Sequence, residues 1–322
     1  MSSATHIIEF GFPQGSILGP IGYSMYTHPI GKILRENNIS YHIYADDTQL
    51  YVTFDPRIPG AYDAALNKLQ TAIAQIKDWM LLNKLQLNQS KTEFFVASSA
   101  RSSSTLCNIN LQLGDIILTP SKSLRNLGVI FDPFLNMTKQ ISSIIQSVNY
   151  HLRNISRIRR HMDKDTCKLA VQTLIFSRID YGNALLLGAS EKDLTRLQRL
   201  QNRAARLILL VGRDHPSVPL LHQLHWLPIR TRIQFKILVY VYKCQHSLAP
   251  EYLSELIVPS TVTYATRSSI DRSLLHIPKT KTVTGDCAFH AAAPRLWNKL
   301  PRKIREAPNV QVFKSLLKTH LF

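Results

Sequence analysis

Two adjacent carboxylates, Asp46 and Asp47, stand in the run Tyr44-Ala-Asp-Asp47, framed by residues that alternate apolar and polar. Ile39, Tyr41, Ile43 and Ala45 alternate with His42, Tyr44 and Asp46, and Leu50, Val52 and Phe54 alternate with Gln49, Tyr51 and Thr53. That period of two predicts a β-hairpin with Asp46-Asp47 at its turn. On their own, two acids there make a solvated turn, because aspartate hydrogen-bonds locally in turns. Their other chemistry is metal-assisted phosphoryl transfer. Magnesium takes oxygen ligands and is commonly shared between one or two protein carboxylates and substrate phosphates. Alternation puts Tyr44 and Asp46 on one face and sends Asp47 to the other, unless the turn twists it back.

The elements around this pair must hold it in place. Upstream, Pro13-Gln-Gly-Ser16 is a turn-rich loop that opens a helix over residues 17–34, where Ile17, Ile21, Met25 and Ile33 fall near helical spacing. Downstream, Ala65, Leu66, Leu69, Ile73, Ile76 and Met80 recur at three and four, which predicts an amphipathic helix over Ala61 to Leu82 packed on a sheet. Short strands are expected at 85–87, 93–97, 109–113 and 127–131. Hairpin, helix, then strands reads as an α+β fold.

With these motifs in order, the sequence resembles the reverse transcriptases of non-LTR, LINE-type (jockey-like) retrotransposons. Gly11-Phe-Pro-Gln-Gly-Ser-Ile-Leu-Gly-Pro20 is similar to the family's template- and nucleotide-facing loop and helix, and Tyr44-Ala-Asp-Asp-Thr-Gln-Leu-Tyr51 to its catalytic hairpin. Leu87-Asn-Gln-Ser-Lys-Thr-Glu93 resembles the segment that carries the family's lysine, and Leu124-Arg-Asn-Leu-Gly-Val-Ile-Phe-Asp132 the primer-grip hairpin. The family's C-terminal flank is resembled by Ala293-Pro-Arg-Leu-Trp-Asn-Lys-Leu-Pro301 through Val312-Phe-Lys314.

The resemblance implies a partial polymerase palm and RNA-directed DNA synthesis, with Mg2+ held by Asp46 and Asp47, Asp46 the firmer ligand. It also implies that Gln14, Gly15 and Tyr44 face template and incoming deoxynucleotide. Lys91 would sit near the triphosphate, as a proton donor to pyrophosphate; its plainer reading is a surface lysine beside a strand. The family's first metal-binding aspartate lies upstream of the Pro-Gln-Gly loop, where the only acid here is Glu9 in no matching motif. The nucleotide-covering fingers are missing as well, so the chain is expected to be N-terminally truncated and inactive alone.

Charge separates the chain into unlike parts. Residues 1–132 hold 10 Lys+Arg and 10 Asp+Glu, and residues 133–322 hold 29 and 11, so the whole excess of +18 is C-terminal. A basic region of this kind holds polyanions, nucleic acid first among them; the plain alternative is a set of solvated Lys/Arg faces. Helices are expected over 138–162, 164–187, 191–211, 229–245 and 310–321. On the third, Leu197, Leu200, Ala204, Leu207 and Val211 share one face while Arg196, Arg199, Arg203 and Arg206 share another, and Arg153, Arg157 and Arg160 repeat the stripe on the first. Arginine forks suit phosphate oxygens, so these helices read as a thumb-like region that grips duplex backbone without reading base sequence.

The expected division is therefore a palm segment over 1–132, a helical basic thumb-like region over 133–213 and a C-terminal, mainly helical basic region over 214–322. Its partners would be an RNA template, a DNA primer or their duplex. Cys107, Cys167, Cys244 and Cys287 are scattered, with no C-x-x-C pair, and read as isolated thiols. Residues 173–189, the longest apolar stretch, include Arg178 and Asp180, and residues 1–20 lack the sections of a signal peptide, so neither membrane span nor export is expected. The rival readings are a non-catalytic nucleic-acid-binding protein and a remnant product without function.

Overall fold

The computed structural model describes residues 16–98, 109–114, 116–260 and 273–322. The chain forms two compact units, Met1–Leu124 and Arg125–Phe322. Among the described residues no helix is long and apolar enough to cross a membrane.

In the first unit, α1 (Gly19–Glu36) leads into strands β1 (Ser40–Tyr44) and β2 (Asp47–Tyr51), followed by α2 (Ala61–Leu82), β3 (Leu111–Leu113) and β4 (Ile116–Leu118). The bounds of α2 are those its apolar period predicts. Its buried Ala72 and Ile76 meet Ile30 and Leu34 of α1 and Ile39, while Tyr41, Ile43, Leu50 and Val52 on one face of the hairpin close over them half-buried. The period-two pattern thus reports the inward face correctly. Specific bonds set the packing: Tyr26 Oη donates to the Asn83 carbonyl at 2.7 Å, Lys68 Nζ to the Asn38 carbonyl at 2.6 Å and Arg35 to Tyr41 Oη at 2.6 Å. Gly31 makes room for this approach, since a Cβ there would lie 2.7 Å from Tyr41 Oη.

Several sequence expectations give way here. Ile17, Ile21 and Met25 are 90%, 58% and 74% exposed, so the buried face of α1 is Thr27, Ile30, Gly31 and Leu34 instead. Residues 85–87 form no strand, and in 93–97 only Phe94 bridges, to Pro120. The three hairpins, β1–β2, β3–β4 and β5–β6 (Leu124–Asn126, Val129–Phe131), stay separate two-stranded sheets. The α+β character holds as helices with small sheets.

The second unit is helical: α3 (Thr138–Ile158), α4 (Lys164–Val171), α5 (Ser177–Asp180), α6 (Glu191–Leu209), α7 (Ser217–Gln223), α8 (Ile229–Gln245), α9 (Glu251–Ser254), α10 (Val283–Cys287), α11 (Phe289–Trp297), α12 (Arg302–Arg305) and α13 (Val310–Leu321). The single helix expected over 164–187 is broken: a π turn at Gln172–Phe176 joins α4 to α5, and a 3-10 turn covers Asn183–Gly188. One core runs through the unit, from Ile141, Val148 and Leu152 through Leu197, Leu200 and Ala204 to Tyr242, Trp297 and Phe313. Trp226 and Trp297 are buried anchors, and Cys167, Cys244 and Cys287 are free thiols.

Candidate active site and nucleic-acid interface

The acidic pair belongs to the first unit, at the end of β1–β2. Tyr41 pairs with Leu50, Ile43 with Thr48 and Tyr44 with Asp47, which leaves Ala45 and Asp46 as a two-residue turn. Only Asp46 of the two acids is in the turn itself, one residue off the expected position. Asp47 starts β2 directly across from Tyr44, so Asp47, not Asp46, shares the face of Tyr44. The tight turn demands positive φ at its first residue, and Ala45 supplies it at φ 53, a conformation in which a Cβ is strained.

Asp46 and Asp47 are exposed, as is Tyr44. Tyr23 of α1, half-buried, lies close enough to Asp46 for its hydroxyl to respond: burial first, then the Asp46 carboxylate, pushes the phenol above its ordinary value. Helix α1 is thus brought beside the acidic turn, with Tyr23 a neighbour that the sequence reading missed. Lys91 sits in an exposed 3-10 turn, Gln89–Lys91, and neither a hydrogen bond nor an ion pair joins it to Asp46 or Asp47. Gln14 and Gly15 lie outside the described residues.

Carboxylate oxygens from two successive residues suit a magnesium ion that completes its shell with water and substrate phosphates. Asp46 and Asp47 would hold it, and it would neutralise charge on a reacting phosphate. Among the described residues no group of three or more His, Cys, Asp or Glu side chains gathers as a metal centre.

The second unit carries the arginines. Helices α3 and α6 run side by side in parallel at a constant offset: Arg196 reaches Ser142 Oγ at 3.5 Å and Arg203 reaches Asn149 Oδ1 at 2.7 Å, each pair 54 residues apart. Helical geometry at 100° per residue puts Arg153 within roughly 40° of Asn149 on α3, so it flanks the same seam, while Arg160 lies just beyond the helix in the 3-10 turn Arg159–His161. Arg153, Arg157, Arg160, Arg199 and Arg203 are exposed, with no carboxylate within ion-pair distance among the described residues.

The other two arginines of the α6 stripe are spent internally. Arg196 pairs with Asp193 at 2.9 Å, and half-buried Arg206 donates to the His215 carbonyl at 3.0 Å. Between the two rows, Arg159, which the stripe pattern passed over, is buried and donates to the carbonyls of Met162 at 2.6 Å, Leu207 at 2.9 Å and Ile208 at 2.8 Å. It closes the C-terminal end of α6, where carbonyls lack helical partners and a cation meets the negative end of the dipole.

At the opposite end, Asp193 secures the start of α6. Ser190 caps the helix through the Asp193 amide, and the buried Asp193 carboxylate accepts from Ser190 and Thr138, both at 3.0 Å. Burial pushes this carboxyl up, but hydrogen bonds from Arg196, Ser190 and Thr138 together outweigh it and hold the pKa below the ordinary value. A depressed folded pKa gives stability that is present above the unfolded-state pKa of about 3.9 and lost as pH falls through the folded value. Acid unfolding followed by circular dichroism should accordingly be less steep below pH ~4 in Asp193→Asn than in the parent. Equal acid limbs would remove Asp193 from the linkage.

Asp132 serves the fold in a similar way. Its buried carboxylate accepts the amides of Phe134, Asn136 and Met137 at 3.2, 3.1 and 2.8 Å, which fixes the entry to α3 after hairpin β5–β6. That hairpin turns on Leu127 and Gly128, with φ 44 and 80, and Tyr181 Oη donates to the Leu127 carbonyl at 2.5 Å.

Residues 2–131 match the family model described as reverse transcriptase (RNA-dependent DNA polymerase). The chain is 24% identical over 217 residues to a probable RNA-directed DNA polymerase from transposon X-element of Drosophila melanogaster, covering 64% of this chain and 22% of that protein. It is 25% identical over 214 residues to the RNA-directed DNA polymerase from mobile element jockey of Drosophila funebris, with 64% and 22% covered. The chain thus spans about 22% of the length of these curated relatives. No solved structure matches it.

Proposed function

We infer, from the match of residues 2–131 to the reverse transcriptase family model and the likeness to RNA-directed DNA polymerases of mobile elements, that this chain is the part of such a polymerase that presents the acidic hairpin and grips the primer–template. In this reading residues 1–132 form the palm segment, residues 133–213 a thumb-like region and residues 214–322 its basic continuation. Asp46 and Asp47 bind magnesium together with the phosphates of the incoming deoxynucleotide, Tyr23 and Tyr44 border the acids, and Gln14 and Gly15 face template and nucleotide. Lys91 has the proton-donor role only if the triphosphate reaches its turn. The observation that carries the reading is the exposed acidic turn beside Tyr23, in a segment that matches the family.

Mn2+ in place of Mg2+, followed by electron paramagnetic resonance of the free ion, tests the metal assignment. The chain should bind Mn2+, and Asp46→Asn combined with Asp47→Asn should abolish that binding; an unchanged titration removes both residues from metal chemistry. RNA-templated primer extension by the chain alone is expected to stay at background, because two-metal nucleotidyl transfer draws on more carboxylates than these two. Robust incorporation that vanishes in Asp46→Asn would overturn that expectation and require another ligand. A non-catalytic nucleic-acid-binding protein is the second reading, favoured by the five exposed arginines without carboxylate partners on α3, the 3-10 turn after it and α6.

A further inference from the structure

A second cationic feature of the Arg125–Phe322 unit lies apart from the arginine seam in its residues. A cleft of about 300 Å³ is lined by Lys168 of α4, His225 of the α7–α8 turn, Arg232 of α8 and Lys318 of α13, over a floor that includes Phe176 and Trp226. The floor is built rigidly. Phe176 and Trp226 are buried and meet edge to face, with ring centroids 4.5 Å apart. Arg232 stacks its guanidinium 4.5 Å from the Phe176 ring centre and is neutralised by the Asp180 carboxylate through bonds of 2.5 and 2.6 Å.

The two lysines have no such partner. Lys168 and Lys318 are half-buried, and neither has a carboxylate within ion-pair distance among the described residues. The Lys318 ammonium lies 5.9 Å from the Phe322 ring centre. Partly desolvated like charges that face one cavity repel each other, and an anion between them turns that repulsion into attraction. Phe176 and Trp226 are 4% and 5% exposed, so their rings offer a base little surface to stack on. What the cleft presents is ammonium donors, an imidazole and the exposed edge of a paired guanidinium. That donor set recognises a tetrahedral oxyanion.

The α4–α5 junction supports the assignment. Gln172 and Phe176, the ends of the π turn, line the cleft, and a π turn inside a helix is a rare irregularity that is frequent at functional sites. We propose that this cleft is a phosphate-binding site, with Lys168 and Lys318 as its principal donors. The phosphate is either a phosphodiester of a nucleic acid backbone or a free phosphate compound. The proposal does not rest on the polymerase reading.

The test uses the whole chain and inorganic phosphate at constant ionic strength, balanced with chloride and read by phosphorus NMR. Lys168→Gln combined with Lys318→Gln should weaken phosphate binding by about tenfold or more, the loss expected when charge-assisted hydrogen bonds go. Lys192→Gln combined with Lys303→Gln, at exposed lysines of the same unit outside the cleft lining, should leave it unchanged. Lys168→Arg, which keeps the charge, should retain binding and so separates a lost donor from a damaged fold. Equal phosphate binding in all variants is the diffuse counter-ion association of any basic protein and overturns the proposal. Competition assigns the source: a short duplex that displaces phosphate in the Arg199→Gln, Arg203→Gln background marks a phosphodiester, and phosphate that stays bound marks a free compound.

Discussion

Replacing Arg159 with alanine is expected to destabilise the Arg125–Phe322 unit by about 3 to 5 kcal/mol. The side chain is 6% exposed and donates to the carbonyls of Met162, Leu207 and Ile208. Hydrogen bonds with one charged partner contribute about 1.5 to 3 kcal/mol each, and removal also leaves buried carbonyls of the last turn of α6 without a donor. A single domain holds only about 5 to 15 kcal/mol in total, so the loss would take a large part of it. Urea unfolding monitored through tryptophan fluorescence measures it, since Trp226 and Trp297 lie in this unit's core. Arg153→Ala is the control: it removes an exposed arginine from α3, just before the turn that holds Arg159, and should stay within about 0.5 kcal/mol of the parent. Similar midpoints for the two variants would show that Arg159 closes nothing that matters.

The contrast between Arg159 and its neighbours shows where the sequence was legible and where it stopped. Long amphipathic helices announce themselves, and α2 and the Leu197, Leu200 and Ala204 part of the buried face of α6 follow directly from spacing, because apolar side chains must meet the core every three or four residues, whereas Leu207 is half-buried and Val211 lies past the helix end. The helix period also separates arginines from leucines. It does not tell which arginines are free: Arg196 is drawn to Asp193, Arg206 to a carbonyl and Arg159 inward, through contacts with other elements. The acidic hairpin was legible in kind but not in register. Alternation fixes which residues face the core, whereas the choice of turn residues was settled by Ala45 adopting positive φ, which alanine does not advertise. Strands of three residues carry too little pattern to be distinguished from loops, which accounts for the misplaced segments at 85–87 and 93–97. The pairing of Lys168 with Lys318 had no local signal, because only the packing of α4, α8 and α13 brings them to one cleft.

Arg199 and Arg203, by contrast, are exposed on the α6 side of the seam, and the largest functional effect is expected there. If each neutralises one phosphate of a bound duplex, replacing both with glutamine removes about 0.9 per phosphate from the slope of log affinity against log salt, roughly two units together. The same relation makes each phosphate contact account for roughly eightfold in affinity at 0.1 M relative to 1 M salt, so the double variant should bind about sixtyfold more weakly at 0.1 M. Glutamine keeps helix propensity close to that of arginine, and the bond from Arg203 to Asn149 is solvent-exposed, so folding should change little. Leu200→Ala should behave in the opposite way. Leu200 is 4% exposed in the core, and its truncation should cost about 2 to 5 kcal/mol of stability while the folded fraction keeps its phosphate contacts. Fluorescence anisotropy with a labelled RNA–DNA duplex over a range of salt concentrations separates the two effects. A double glutamine variant with the parent's affinity and salt slope would reduce the arginine row to a solvated helix face and withdraw α6 from the duplex interface.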